Sequence, residues 1–220
     1  YANNNTFTYV LENATQYTGE KTTTFGTLSI DKKALTITAE SDAKKYDGTP
    51  LTNDGYTNTD LAACDHIASV SVEGTITEIG EVANQASSAV IKDNANEDRT
   101  SNYDITYVDG KLEITANIET IAIASSSKSW TYDCANHKDD VYTVTYGETN
   151  VTSEDGKTFT LPTGDKLTIT STAAGVKYYD ATYANNNTFT YELERAAQYT
   201  GEKTTTFGTL SIDKKALTIT

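Results

Sequence analysis

Apolar and polar residues alternate along most of this chain. Residues 34–38, 67–76, 103–107, 111–115, 120–124, 142–146, 166–170 and 188–193 each put apolar side chains at every second position. That period of two is the mark of a strand with one buried face. Between these runs stand Asp47-Gly48, Asp54-Gly55, Asp109-Gly110, Asp155-Gly156 and Thr163-Gly164, pairs that tolerate the positive φ of tight turns. Val108-Asp109-Gly110-Lys111 predicts a hairpin joining Ile105-Thr106-Tyr107 to Leu112-Glu113-Ile114. Helical periodicity is nearly absent; residues 59–63 and 193–198 could each form one turn. The expected fold class is all-β, as small Ig-like β-sandwich domains or a β-grasp-like sheet, with a strand count that leans to the sandwich.

Composition first argues against this. Leu, Ile, Val and Phe make up 40 of the 220 residues and the formal charge is −14, values that border on those of disordered chains. The 41 Thr and 15 Tyr reverse the conclusion, because branched and aromatic side chains favour a pleated surface. Thin β-domains with small cores result. The acidic balance excludes nucleic acid and anionic lipid as expected partners, since phosphate recognition needs clustered Lys and Arg. No apolar run approaches the roughly 20 residues of a membrane span, so membrane insertion is not expected.

Residues 1–38 recur as residues 183–220, with changes only at Val10/Glu192, Asn13/Arg195 and Thr15/Ala197. Such near-identity reads as tandem duplication with a period of about 182 residues, one stretch of a longer array. A weaker likeness halves the period: residues 26–48 resemble residues 110–134, so that Tyr46-Asp47 answers to Tyr132-Asp133. The expected organisation is residues 1–30 as the end of a long repeat, 31–116 a short repeat, 117–212 a long Tyr-rich repeat, and 213–220 the first strand of another short one. Residues 1–30 lack their complement, about 117–182, nearby in the chain. They are expected either to be disordered or packed in passing, or to replace residues 183–212 of a neighbouring molecule in head-to-tail strand exchange, at almost no difference in energy.

Lys44-Lys45-Tyr46-Asp47-Gly48-Thr49-Pro50-Leu51, closed by Tyr103-Asp104-Ile105-Thr106-Tyr107 and Gly110-Lys111-Leu112, resembles the YDG/MBG-type repeats of large bacterial surface proteins and adhesins. The resemblance covers residues 31–116 well and the long repeat in outline, where Tyr132-Asp133-Cys134 carries Cys in the Gly position. It implies an extracellular, cell-wall location on a Gram-positive-type surface. The implied role is adhesion to host protein or glycoprotein such as mucin or matrix protein, with immunoglobulin capture and a purely structural spacer as alternatives. For Tyr46, Asp47 and Gly48 the residues themselves suggest structure: a buried ring whose hydroxyl reaches a backbone partner, then a turn.

Catalytic signals are missing from the sequence pattern. His66 and His137 stand alone, one per repeat, and no nucleophile elbow, metalloprotease helix or phosphate loop occurs, so no enzymatic role and no cofactor are expected. Asp93-Asn94-Ala95-Asn96-Glu97-Asp98 could bind calcium weakly, although it lacks the regular spacing of a dedicated loop. Lys33, Lys111 and Lys166 lie on or beside predicted strands without a singled-out amide-bond partner. Cys64 and Cys134 fall one in each repeat, where the pattern would accept Gly. They are expected either to bridge the two repeats or to remain free, partly buried thiols. The best candidates for a protein-binding face are Trp130, Tyr132, Tyr142, Tyr146, Tyr178 and Tyr179 of the long repeat, because Tyr and Trp give large contact area at low entropic cost.

Overall fold

The computed structural model describes residues 2–219. Its described residues form sixteen strands and three single-turn 3₁₀ segments. The first seven strands are β1 (Lys33–Ala39), β2 (Asp42–Lys45), β3 (Tyr56–Asn58), β4 (Asp65–Glu73), β5 (Gly80–Asp93), β6 (Tyr103–Val108) and β7 (Gly110–Thr115). Nine follow: β8 (Ile121–Ser125), β9 (Lys128–Thr131), β10 (Tyr142–Tyr146), β11 (Thr149–Val151), β12 (Thr158–Thr160), β13 (Lys166–Ser171), β14 (Phe189–Leu193), β15 (Lys203–Thr206) and β16 (Leu210–Asp213). The protein is all-β, consistent with a β-sandwich type of fold.

Opening and closing strands pair alike in residues 31–116 and 117–212. In the short repeat β1 runs parallel to β6, and β2 parallel to β7, which in turn pairs antiparallel with β5. In the long repeat β8 runs parallel to β15 and β9 parallel to β16. Opening and closing strands thus lie side by side and change sheet together, at residues 40–41 against Gly110 and at residues 126–127 against Gly208. The expected hairpin at Val108 to Lys111 does not form: β6 and β7 are one chain stretch passing from one sheet to another. Glycine is required at the crossing because a Cβ on Gly110 would lie 2.3 Å from the Glu40 carbonyl oxygen, and one on Gly208 2.0 Å from that of Ser126.

Side chains seal each crossing. The Lys111 amide donates to Ser41 Oγ and the Thr209 amide to Ser127 Oγ, both at 2.9 Å. A buried asparagine hooks the departing carbonyl: Asn84 Nδ2 donates to Glu40 O and Asn187 Nδ2 to Ser126 O, again at 2.9 Å.

The longest strand, β5, carries little hydrophobic signal. Its buried positions are Asn84, Ala86, Ala89 and Ile91, a series that changes parity after Ala86. Ser88 stands at the change with φ +55°, the extra residue of a bulge that re-aims the strand. Of the two expected helical turns, one occurs as the 3₁₀ segment Ala196–Gln198, while residues 59–63 form none.

The chain divides into two compact units. Unit 1 takes residues up to Thr38, Tyr56–Ser71 and Ala86–Val108; Leu35, Ile37, Ile91 and Tyr103 are buried there. Unit 2 takes Ala39–Gly55, Val72–Gln85 and residues from Asp109 onward. Tyr46, Leu51, Leu112 and Ile114 of the short repeat share a core in unit 2 with Ile121, Ile123, Val144, Phe159, Leu167 and Ile169 of the long one.

The two copies of the duplicated segment provide a control for the crossing. In the first copy a Cβ on Gly26 would meet nothing nearer than Asn5 at 3.6 Å, whereas Gly208 abuts backbone. Gly208→Ala should therefore destabilise the protein by about 2–4 kcal/mol, and Gly26→Ala by less than about 1 kcal/mol. Urea unfolding of the two variants checks the difference.

Candidate functional site

Two places in unit 2 concentrate chemistry. The first is buried and built on the Tyr46-Asp47-Gly48 motif. Asp47 organises the turn: Lys44 Nζ lies 2.8 Å from its Oδ1, which also accepts from the Thr49 amide and hydroxyl at 2.9 and 2.7 Å. The Lys44 contact first, then those from Thr49, hold this carboxyl down to about 2. Gly48 has φ +79°, and a Cβ there would overlap the Thr163 carbonyl oxygen. The turn can close on residues 163–165 only with glycine at that position.

Tyr46 is buried, but its hydroxyl finds a side chain rather than the expected backbone group. It donates to Asp165 Oδ2 at 2.9 Å. Asp165 is 0% exposed; it also accepts from the Tyr199 hydroxyl at 2.6 Å and from Arg195 Nε at 2.6 Å, and a second Arg195 nitrogen pairs with the same oxygen. The Tyr46 and Tyr199 rings meet edge to face at 5.7 Å. Burial first, then the hydrogen bond to Asp165, pushes the Tyr46 phenol up to about 12 and drives Tyr199 upward as well. Asn117, at the junction of the repeats, donates to Tyr46 O at 2.8 Å and to the Tyr146 hydroxyl at 2.5 Å.

Asp165, Arg195 and Tyr199 escaped the sequence reading. A signal was present: Leu61-Ala62-Ala63-Cys64-Asp65-His66-Ile67 matches Leu161-Pro162-Thr163-Gly164-Asp165-Lys166-Leu167 in its Leu, Asp and final aliphatic positions. The structure gives the two aspartates one role, since the Tyr103 hydroxyl donates to Asp65 Oδ2 at 2.7 Å.

Arg195 also separates the two duplicated segments. Both copies need a left-handed residue here, with φ +54° at Asn13 and +48° at Arg195. Asparagine adopts that conformation more easily than arginine, so the Asp165 ion pair is what justifies Arg in the second copy. Asn13 in its place would leave a buried carboxylate without its cation, an unfavourable exchange. The near-equality of energy expected for strand exchange therefore does not hold. The first copy nevertheless keeps its local form: Asn4 bonds both backbone groups of Leu28 as Asn186 does those of Leu210. Its core face lies open, with Tyr17 61% and Ile30 100% exposed against 4% for Tyr199 and 2% for Ile212.

The second place is on the surface. Trp130, at the end of β9, is half-buried and stacks on His137 at 4.9 Å, with Lys128 Nζ 5.4 Å from the indole. Tyr132 lies 6.4 Å from Tyr178; Tyr178 and Tyr179 are exposed, and Lys214 Nζ sits 4.6 Å over the Tyr179 ring. Of the six aromatic residues expected to form a binding face, Tyr178 and Tyr179 are exposed, while Trp130 and Tyr132 are half-buried against Ala173, Val176, Leu210 and Ile212. Tyr142 is buried against Phe189 at 5.5 Å and belongs to the core, and Tyr146 packs half-buried on the same core. Alternation on β10 turns both of them inward.

Cys64 and Cys134 are free and exposed, neither bridged nor partly buried as expected. Cys134 has φ +67°, the left-handed turn of Gly48, and Asp133 Oδ1 accepts from the Ala135 amide at 2.9 Å as Asp47 does from Thr49. The Cys134 sulfur, bonded to the Tyr132 hydroxyl, pushes that phenol up.

In the loop considered for calcium, Asp93 Oδ1 accepts from the Ala95 and Glu97 amides and Oδ2 pairs with Arg99 at 2.8 Å, so the loop's own groups occupy the carboxylate. No group of three His, Cys, Asp or Glu able to hold a metal occurs among the described residues. An open depression of about 620 Å³ in unit 2 is lined by residues including Asp54 and Glu73. Both carboxylates are solvent-exposed. No helix among the described residues is long and apolar enough to cross a membrane. Comparison with known proteins finds no matching family model, no matching curated protein and no matching solved structure.

The Tyr46 site makes a pH prediction. Its folded pKa, about 12, lies above the unfolded value near 10, so the folded state holds the phenolic proton more tightly. The resulting stability is fully present below pH ~10 and is lost as pH rises through ~12. Urea midpoints should fall across this window. Tyr46→Phe should lose about 1–3 kcal/mol at pH 8 and show a shallower alkaline fall; an equally steep fall would assign the titration elsewhere.

Proposed function

We propose that this chain is a segment of an extracellular repeat array on a bacterial cell wall, with Ig-like β-sandwich repeats, that binds host protein or glycoprotein without catalysis. The observation that supports this reading is the surface cluster of Trp130, Tyr132, Tyr178 and Tyr179. Trp130 and Tyr132 rest half-buried on Ala173, Val176, Leu210 and Ile212 and hold their rings rigid beside the exposed Tyr178 and Tyr179, and rigid aromatic side chains at a surface are the kind that anchor protein contacts. Three of them, Trp130, Tyr178 and Tyr179, carry lysine ammonium groups within cation–π distance, which orders the patch and keeps a polar rim. A single patch of this size binds weakly, and repetition along an array multiplies its effect through avidity. The acidic charge, −14 over 220 residues, keeps such copies soluble and mutually repelling.

The test uses immobilised full chain against purified mucin, a matrix glycoprotein and immunoglobulin. Mucin or matrix glycoprotein should be retained, and Tyr178→Ala/Tyr179→Ala should reduce retention at least about tenfold with an unchanged urea midpoint. Retention of immunoglobulin alone would make the chain an antibody-capture protein. Retention of nothing would make it a spacer.

A further inference from the structure

Residues 2–30 form a closing segment whose apolar face is open, and their near-identical copy shows what such a segment packs on. In residues 183–212, Phe189 and Tyr199 are buried with Ile121 and Leu167, and Leu210 and Ile212 with Ala173 and Val176. The same residues of the first copy, Phe7, Tyr17, Leu28 and Ile30, are exposed. The residues that make the polar contacts are duplicated too. Gln198 O accepts from the Asn117 amide, and Ser125 Oγ donates to Asn187 O and accepts from the Gly208 amide; the first copy has Gln16, Asn5 and Gly26 at these positions. Of the three differences between the copies, Glu192 and Ala197 are exposed. Arg195 is the one that reaches into the long repeat, where its Nε donates to Asp165 Oδ1 at 2.6 Å. Asn13, in its place, is shorter and uncharged.

From this we infer that residues 2–30 are a docking surface for the 117–182 part of a second copy of this chain, complete but for one contact, and that Arg195 opposite Asn13 is the device that keeps copies from exchanging their closing segments. Exchange covers as much surface as it releases, because the displaced residues 183–212 take up the open state of residues 2–30. Residues 31–38 follow the first segment with the same sequence as residues 213–220 follow the second, so the chain leaves an exchanged segment unchanged. The balance then rests on Asp165. A fully buried carboxylate that trades a guanidinium for an amide loses the charge that offsets its desolvation, and the mismatched segment is rejected. Repeats this alike are prone to misassembly between neighbours. One unmatched charge at a buried position excludes the wrong partner while leaving every other contact intact.

The experiment unfolds the full chain in urea and refolds it at about 0.5 mM, near the millimolar effective concentration of a tethered segment. Size-exclusion chromatography with light scattering then measures dimers and longer species. Asn13→Arg should raise the exchanged fraction at least about tenfold over the unaltered chain. Val10→Glu, which copies an exposed difference, should leave it unchanged. Asp165→Asn removes the need for a cation, so it should raise exchange by itself, and adding Asn13→Arg to it should raise exchange no further. Exchange by the unaltered chain equal to that of Asn13→Arg, no rise with Asn13→Arg, an equal rise with Val10→Glu, or a further rise when Asn13→Arg is added to Asp165→Asn would each overturn the proposal.

Discussion

The carboxylate of Asp165 is the point on which unit 2 turns. It is fully buried, and a charge in that position persists only if every neighbouring group serves it. Tyr46 reaches it from the short repeat, while Tyr199 and Arg195 reach it from the duplicated segment that ends the long repeat. Two other stretches of chain, one 119 residues before Asp165 and one 30 to 34 residues after it, thus converge on one side chain. Such a centre gives specificity more than bulk stability. The apolar core would accept many arrangements of similar volume, but only one of them satisfies this carboxylate.

The glycine crossings are the second constraint. Opening and closing strands of each repeat lie parallel and change sheet at the same point, so two backbones must pass without side chains between them. Gly110 and Gly208 provide the gap, Ser41 and Ser127 satisfy the amides that follow, and Asn84 and Asn187 take the carbonyls. Glycine, serine and asparagine recur in the same three roles at both crossings. This recurrence explains how domains so poor in aliphatics hold their shape: each saturates its backbone polar groups at the places where a thin core gives least support.

How far the sequence revealed this depended on the scale of the pattern. Strands with alternating Leu, Ile and Val, such as β1, β7, β8 and β13, were legible because period two is a local property. β5 was not, because its buried side chains are Asn and Ala and a bulge at Ser88 shifts their parity. Asp109-Gly110 read as a hairpin turn since a glycine needed for a close approach is indistinguishable from one needed for positive φ. Tyr142 and Tyr178 are the same residue type in the same repeat, and only tertiary packing separates a core ring from a surface one. The turn formed by Asp47 and Gly48 was foreseen; the partner of Tyr46, far along the chain, belongs to packing rather than to local sequence.

The claim with most consequences is that the Tyr46 side of the short repeat and the long repeat form one cooperative body around Asp165. Native-state amide hydrogen exchange tests it most directly, because it reports the opening free energy of each strand separately. The amides of Leu112 and Ile114 on β7 and those of Leu167 and Ile169 on β13 should exchange through a single opening event, with equal free energies and the same urea dependence. If the β7 amides exchange at a distinctly lower free energy while β13 remains protected, the shared core does not act as one, and the account built on the buried carboxylate is wrong.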